Sequence, residues 1–290
     1  MSSLPYRQID VLDPDYVIEK LASFITEDIP NNDITSEIFF DKNVRSKAYL
    51  ENEEETVFAG KQILEQIPSL SPQPINLAIH FNDGDKIEPY SKIMEIEGPT
   101  QFILKIERTI LNLLQRLCGI ATNTRKYVEI AKPYNVHILD TRKTTPGLRI
   151  FEKYAVRCGG GTNHRLNLSE GILIKDNHII AAGSISKAVE MIRLQYPLAF
   201  VEVEVENHSQ LLEALILNVD GILLDNFPPQ EVREAVAYAR TKKPNIFIEA
   251  SGGITLETVE EYAKTGVDGI SIGALTHSAK SVKMHLEFLY

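Results

Sequence analysis

The chain has 290 residues, room for one large domain and a smaller companion. An apolar share of 43% with only 14 prolines and 16 glycines describes a globular protein and excludes a disordered one. A formal charge of −10 excludes a surface that wraps nucleic acid, since neutralising phosphates requires a basic face, but it leaves room for a local basic pocket.

Two cysteines, Cys118 and Cys158, show neither C-x-x-C nor zinc-ligand spacing, so a reduced, cytoplasmic chain is expected over a single disulfide. The opening Met1-Ser2-Ser3-Leu4-Pro5-Tyr6-Arg7 lacks the apolar run of a signal peptide. No long uncharged apolar stretch follows, and no membrane partner is expected.

The first part of the chain reads as mixed α+β. Asp13-Pro14 is a helix start signal, and Tyr16, Val17, Leu21, Phe24 and Ile25 follow with helical spacing. Val44 to Leu50 predicts a strand, and Asn82-Asp83-Gly84-Asp85 a hairpin turn. Pro99 opens a long helix from about Thr100 to about Lys132. Ile103, Ile106, Ile110, Leu113, Leu114 and Leu117 form its apolar stripe, with Arg108, Asn112, Gln115 and Arg116 on another face.

From Val136 onward, short apolar runs alternate with amphipathic stretches. The runs are Val136–Leu139, Gly171–Ile174, Phe200–Val205, Gly221–Leu224, Ile246–Ile248 and Gly269–Ile272. The helical stretches include Ser184–Tyr196, Ser209–Leu217, Pro229–Thr241 and Leu256–Thr265. This alternation predicts parallel βαβ units with right-handed crossovers. Six strands are too few for a closed eight-stranded barrel, so an open one is expected. No tight internal repeat, low-complexity tract or long linker is read.

Each apolar run ends on polar or glycine residues, and parallel strands would bring all those ends to one face, where β/α barrels do chemistry. Val201-Glu202-Val203-Glu204-Val205-Glu206 alternates with period two, placing three glutamates toward the barrel axis or mouth, where they need cations or a metal. An exposed edge strand with one wet face is the alternative. Arg142, Lys143, Arg165 and Lys175 lie at loop or strand-end positions and would converge on a ligand with several negative charges. Arg149, Lys153 and Arg157 share helical spacing and read as a solvated face.

Gly159-Gly160-Gly161 is either an anion-binding nest or a turn, and His164 beside Arg165 is a ligand candidate. His178 is assigned to holding the loop after Lys175. Ser251-Gly252-Gly253 and Gly273-Ala274 suit a phosphate held by backbone N–H groups and a helix N-terminus, or the tight turns that any βα unit needs. Glu204 and Asp225, at neighbouring strand ends, could bind ribose hydroxyls directly or through Mg²⁺. No Walker A sequence or G-x-G-x-x-G fingerprint is present.

Asp140-Thr141-Arg142-Lys143-Thr144, the Gly159 to Arg165 segment, Ile174-Lys175-Asp176-Asn177-His178, Leu224-Asp225-Asn226, Ser251-Gly252-Gly253 and Gly273-Ala274-Leu275-Thr276-His277-Ser278 together resemble quinolinate phosphoribosyltransferases, from about Leu12 to the end. The resemblance implies an α/β fold: an incomplete (open) β/α barrel, residues 116–275, with an N-terminal α/β-sandwich (α+β) domain, residues 1–115 plus about 276–290. It implies transfer of phosphoribose from 5-phosphoribosyl-1-diphosphate to quinolinate with Mg²⁺, giving nicotinate mononucleotide, CO₂ and diphosphate for NAD biosynthesis. It implies a homodimer with shared active sites, in which one subunit's N-terminal domain caps its partner's barrel, and in some relatives a hexamer.

By the same resemblance Thr141, Arg142, His164 and Arg165 are substrate-binding, with Arg108 reaching in from the partner subunit. Lys143 and Lys175 lie between the two substrates, Glu204 and Asp225 lie near ribose and metal, and Ser251, Gly252, Gly253 and Gly273 lie around phosphate. The one local departure is Asn32 before Asp33-Ile34-Thr35, where many relatives carry glycine; it touches a turn only. Three rivals are a transferase for nicotinate or another ring acid, a non-catalytic anion-binding relative, and a barrel aldolase with Lys175 as Schiff-base lysine.

Overall fold

A computed structural model describes residues 6–289; residues 1–5, and most of the segment expected to lack a signal peptide, lie outside the described residues. The chain divides into two compact units. One comprises residues 9–125, 145–160 and 278–289, and the other residues 6–8, 126–144 and 161–277. The division expected at 115/116 falls inside the helix Thr100–Ala131, and the units part further along it, at 125/126.

The first unit carries a four-stranded antiparallel sheet in the order Met284–Leu289, Arg45–Asn52, Lys92–Pro99, Asn76–Ile79. Asp13 caps the helix Pro14–Asp28 by accepting the Asp15 and Tyr16 N–H groups, as its sequence suggested. The stripe Ile103, Ile106, Ile110, Leu113, Leu114 and Leu117 of the long helix is buried throughout. Asn82 to Asp85 does make a turn, with Gly84 at φ +87° and the Asp85 N–H donating to Asn82 O at 3.1 Å. It is not a hairpin: Asn76–Ile79 before it pairs with Lys92–Pro99, and Lys86–Ile87 after it pairs with Thr56–Val57.

The helix Arg149–Cys158 corrects a second expectation. Lys153 is completely buried and Arg157 Nε donates to Asp10 Oδ1 at 2.8 Å, so the expected solvated face does not exist. Spacing of i and i+4 shows that charges share a side, not what covers that side. Beside them Glu152, also fully buried, receives Arg116 Nη2 at 2.6 Å and the Thr145 N–H at 3.2 Å.

The second unit is a six-stranded, wholly parallel sheet in the order His137–Leu139, Gly269–Ser271, Phe247–Ser251, Gly221–Asp225, Val201–Val205, Ile172–Ile174. All six expected strands are present, and the first and last are its edges, which leaves the barrel open. Val201, Val203 and Val205 are fully buried, as parallel strands covered on their faces require. The helices Ile185–Gln195, His208–Ile216 and Pro229–Lys242 follow the expected stretches. The last expected helix is shorter, Val259–Ala263, because Thr255 and Thr258 tie their own turn ahead of it.

At the N-terminal ends of the strands one device occurs twice. Arg193 donates to Ala199 O at 2.6 Å and to Asp220 Oδ2 at 2.7 Å, and the same Asp220 oxygen accepts the Val201 N–H at 2.9 Å. Arg240 likewise donates to Ile246 O and to Asp268 Oδ2 at 2.6 Å, which accepts the Ile248 N–H at 2.7 Å. The aspartates sit in Val219-Asp220-Gly221-Ile222 and Val267-Asp268-Gly269-Ile270. This short repeat went unread in the sequence because so few of its positions recur.

Candidate active site

The strands present Thr141, Arg142, Lys143, Lys175, Glu204, Asp225 and Ser251 at their C-terminal ends, and these residues, with His164 and Arg165, line one cavity of about 400 Å³. Gly252, Gly253 and Gly273 sit in the loops just beyond. Arg108 is not brought there: it is exposed in the first unit and lines a different cavity, of about 560 Å³, with Asn112 and Arg116.

The turn that carries His164 and Arg165 is built around Asp140. Fully buried, Asp140 accepts the Asn163 side-chain amide at 2.6 Å and the His164 N–H at 2.9 Å. The glycine triplet upstream makes a turn whose first two N–H groups are already used: Gly159 closes the preceding helix and donates to Ala155 O at 3.0 Å, and Gly160, at φ +88°, donates to Arg157 O at 2.8 Å. Arg165 then enters the cavity with a guanidinium whose hydrogen bond runs to Gly171 O at 3.4 Å. Burial pushes its pKa down, and the neighbouring charge of Arg142 pushes it further. Arg142 Nε is itself buried without a hydrogen-bond partner. Two neighbouring cations, one with an unsatisfied donor, make a receptor for an anion of more than one charge.

The glutamate column is only partly as expected. Glu202 is fully buried, Glu204 is half-buried at the mouth, and Glu206 lies exposed past the strand end. Glu204 is ion-paired with Lys175. Burial raises the Glu204 pKa, the Lys175 hydrogen bond and charge oppose that, and Asp225 and Asp176 add to the rise. Asp225 accepts the Asn226 side-chain amide at 2.8 Å. The segment after Lys175 is not the expected loop but the helix Asp176–Ala182, and His178 in its first turn takes the Lys175 N–H on Nδ1 at 3.0 Å.

Below the cup, His164 lies between Glu202 and Glu249, with Nε2 at 3.4 and 3.5 Å from one oxygen of each. Its Nδ1 accepts the Arg165 N–H at 2.7 Å. Burial opposes charge on this ring, yet Glu249 and Glu202 pull its pKa upward. While Nδ1 accepts the Arg165 N–H, the ring's own proton is on Nε2, facing the two carboxylates. Burial and the charge of Glu202 push Glu249 up to about 8.

The three donors lie within 4.8 Å of one another, a metal-like cluster. A protonated Nε2 cannot be a ligand, and a metal-bound histidine donates its other N–H where this one accepts. Oxygen donors Glu204 and Asp225, open to the cup, suit Mg²⁺ better.

Glu249, Ser271 and Asp140 also line the cavity and were not read as site residues. Period two from Phe247 through Glu249 to Ser251 was the available signal for Glu249. The phosphate reading loses its helix N-termini. The helix after Gly253 starts only at Val259, and the one after Gly273 has four residues, so only loop N–H groups remain. Gly252, at φ +105°, has room for no side chain: an added Cβ would lie 2.2 Å from Asn226 Oδ1.

Residues 120–287 match the model of the quinolinate phosphoribosyl transferase C-terminal domain, and residues 33–118 that of its N-terminal domain. The chain belongs to the quinolinate phosphoribosyl transferase family. A Bacillus subtilis family member, called a probable nicotinate-nucleotide pyrophosphorylase [carboxylating], is 44% identical over 268 residues, 92% of this chain and 91% of its own. A Methanocaldococcus jannaschii protein of the same description is 40% identical over 95% of this chain and 98% of its own. The solved nicotinate-nucleotide pyrophosphorylase of Francisella tularensis superposes with a TM-score of 0.91 at 38% identity, covering 98% of this chain and 99% of that one. The quinolinate phosphoribosyl transferase fold, an open parallel barrel unit and an antiparallel-sheet unit, is thus shared along nearly the whole length.

Proposed function

We propose that this protein joins quinolinate to 5-phosphoribosyl-1-diphosphate and releases CO₂ and diphosphate, forming nicotinate mononucleotide for NAD biosynthesis. The observation that carries this reading is the neighbouring pair Arg142 and Arg165 in one cavity, with the buried, unpartnered Arg142 Nε. A pyridine bearing two adjacent carboxylates would satisfy both forks, whereas a single carboxylate leaves one guanidinium uncompensated.

The remaining residues divide the work by charge. Glu204 and Asp225 face the site where positive charge grows on the ribose C1 as diphosphate leaves. Their oxygens would also hold Mg²⁺, which neutralises the departing diphosphate when bound. Lys143 and Lys175 lie between the acid and the sugar, and loop N–H groups at Ser251, Gly252, Gly253 and Gly273 face phosphate. Holding the ring nitrogen near C1 supplies much of the rate through orientation. Once the nitrogen is ribosylated, its positive charge takes up the electron pair released when the 2-carboxylate departs as CO₂, and a proton then replaces the carboxylate at C2.

Arg108, exposed on its own unit, would reach the cup of a second subunit, so the reading includes a homodimer and allows a hexamer. Free Cys118 and Cys158 agree with a reducing, cytoplasmic setting. Among the described residues no helix is long and apolar enough to cross a membrane. The test is purified protein with quinolinate, 5-phosphoribosyl-1-diphosphate and Mg²⁺, following CO₂ and nicotinate mononucleotide. Product from nicotinate, and none from quinolinate, would overturn the assignment.

A further inference from the structure

The open barrel leaves a gap between its edge strands, and the first described residues of the chain are tied to both sides of it. On one side Thr162 bridges Leu139 of the edge strand His137–Leu139, and the next residue, Asn163, is held by Gln8. Gln8 Oε1 accepts the Asn163 N–H at 2.8 Å while Gln8 Nε2 donates to Asn163 O at 3.1 Å, so one side chain imitates a strand partner. On the other side the Arg7 N–H donates to Glu170 Oε1 at 3.0 Å, just before Ile172–Ile174. Between them Tyr6, 5% exposed, points inward.

Tyr6 packs its ring on His164, with centroids 4.5 Å apart and planes at 21°, and meets Phe200 edge-on at 6.0 Å. Its hydroxyl donates to Glu202 Oε2 at 3.0 Å. Gly171 accommodates it: a Cβ there would lie 2.6 Å from the Tyr6 ring. The aromatic ring thus closes one face of His164 while Glu202 and Glu249 face its Nε2 and the Arg165 N–H fixes its Nδ1.

Both ring nitrogens are turned to protein groups. His164 therefore acts on a ligand chiefly through the backbone of Arg165, and whatever sets the plane of the ring sets the entry of that guanidinium. We propose that Tyr6 is a positioning residue for the acid subsite: the strap of residues 6–8 stands in for missing barrel strands, and through His164 it holds Arg165 in place for a dianionic aromatic acid. This rests on the reading of the cup as a quinolinate site, and it adds a residue that lies outside the cavity lining.

The experiment uses the full chain and its Tyr6→Ala and Tyr6→Phe variants. Calorimetry with quinolinate alone, and separately with 5-phosphoribosyl-1-diphosphate and Mg²⁺, reads each subsite without turnover. Removing the stack in Tyr6→Ala should weaken quinolinate about tenfold or more and leave the phosphoribosyl donor within about threefold. Tyr6→Phe, which keeps the stack, should recover most of the loss. Hydrogen exchange should rise at amides 163–165 in Tyr6→Ala and stay unchanged across 201–205.

Equal weakening of both ligands, or quinolinate binding within about twofold of the parent, would overturn the positioning role. If the parent chain itself binds no quinolinate, the functional reading falls instead. The exchange at 163–165 then decides on the strap by itself, since unchanged protection in Tyr6→Ala means the ring does not hold that turn.

Discussion

Glu202 and Glu249 lie in the two barrel strands that the Arg193–Asp220 and Arg240–Asp268 devices anchor, each one residue beyond the strand N–H that the aspartate accepts. Both carboxylates are fully buried and both face His164. Alternate strands supply side chains to one layer of a β/α barrel, and here the layer is polar and titratable instead of aliphatic.

That layer makes stability depend on pH. Burial and the charge of Glu202 push the Glu249 carboxyl up to about 8 in the folded chain, against an ordinary value of 4.5. Between those values the folded state holds a proton that the unfolded state has lost, so stability is fully present at the acid end and declines as pH rises toward 8. The slope is at most about 1.4 kcal/mol per pH unit for one proton. Urea unfolding of the parent and of Glu249→Gln between pH 5 and 8 checks it: the variant should lose this part of the slope.

Replacing Arg165 by Lys keeps the charge and removes the fork. We expect quinolinate KM to rise roughly 10- to 100-fold with a smaller change in kcat, because the acid is gripped before and during the reaction alike. Arg142→Lys should behave the same way, and steady-state kinetics with each substrate varied reads both.

Lys143 should divide the other way. It is exposed at the rim, and its carbonyl is held at 2.8 Å by Thr276 Oγ1, so its backbone stays in place when the amine is lost. Lys143→Ala should lower kcat by about 100-fold and shift quinolinate affinity less than about threefold. Gly273→Ala tests the same group from outside, since a Cβ there would lie 2.9 Å from Lys143 Cδ, its nearest neighbour, and 3.1 Å from His277 Nε2. The flexible lysine stem can swing aside, so turnover should fall with little loss of melting temperature.

Asp268→Ala should act in the opposite sense to the rim variants. It removes the acceptor of Arg240 Nη2 and of the Ile248 N–H, at a cost of about 1–3 kcal/mol. KM and kcat of the folded fraction should be unmoved, as chemical unfolding alongside kinetics would show.

The barrel strands were legible because short apolar runs separated by amphipathic stretches leave parallel βαβ units as the economical arrangement. The cup was legible because parallel strands send every C-terminal end the same way. What covers a surface was not: Lys153 looked solvated by spacing and is buried. Tyr6 carries no periodic signal, since a strap of three residues has no face of its own. Glu206 followed the alternation of its strand on paper, but the strand stops at Val205, so the side chain is released to solvent.

The doubled arginine–aspartate clasp sits at the entrance of the strands, whereas the residues that line the cavity occupy their exits. Holding the frame and choosing the ligand are thereby assigned to opposite ends of the same short segments. Exchanges among the exit loops can retune which ring acid is accepted while the scaffold beneath keeps its tension, and damage to a clasp should thin out the population of working molecules without altering how any survivor works.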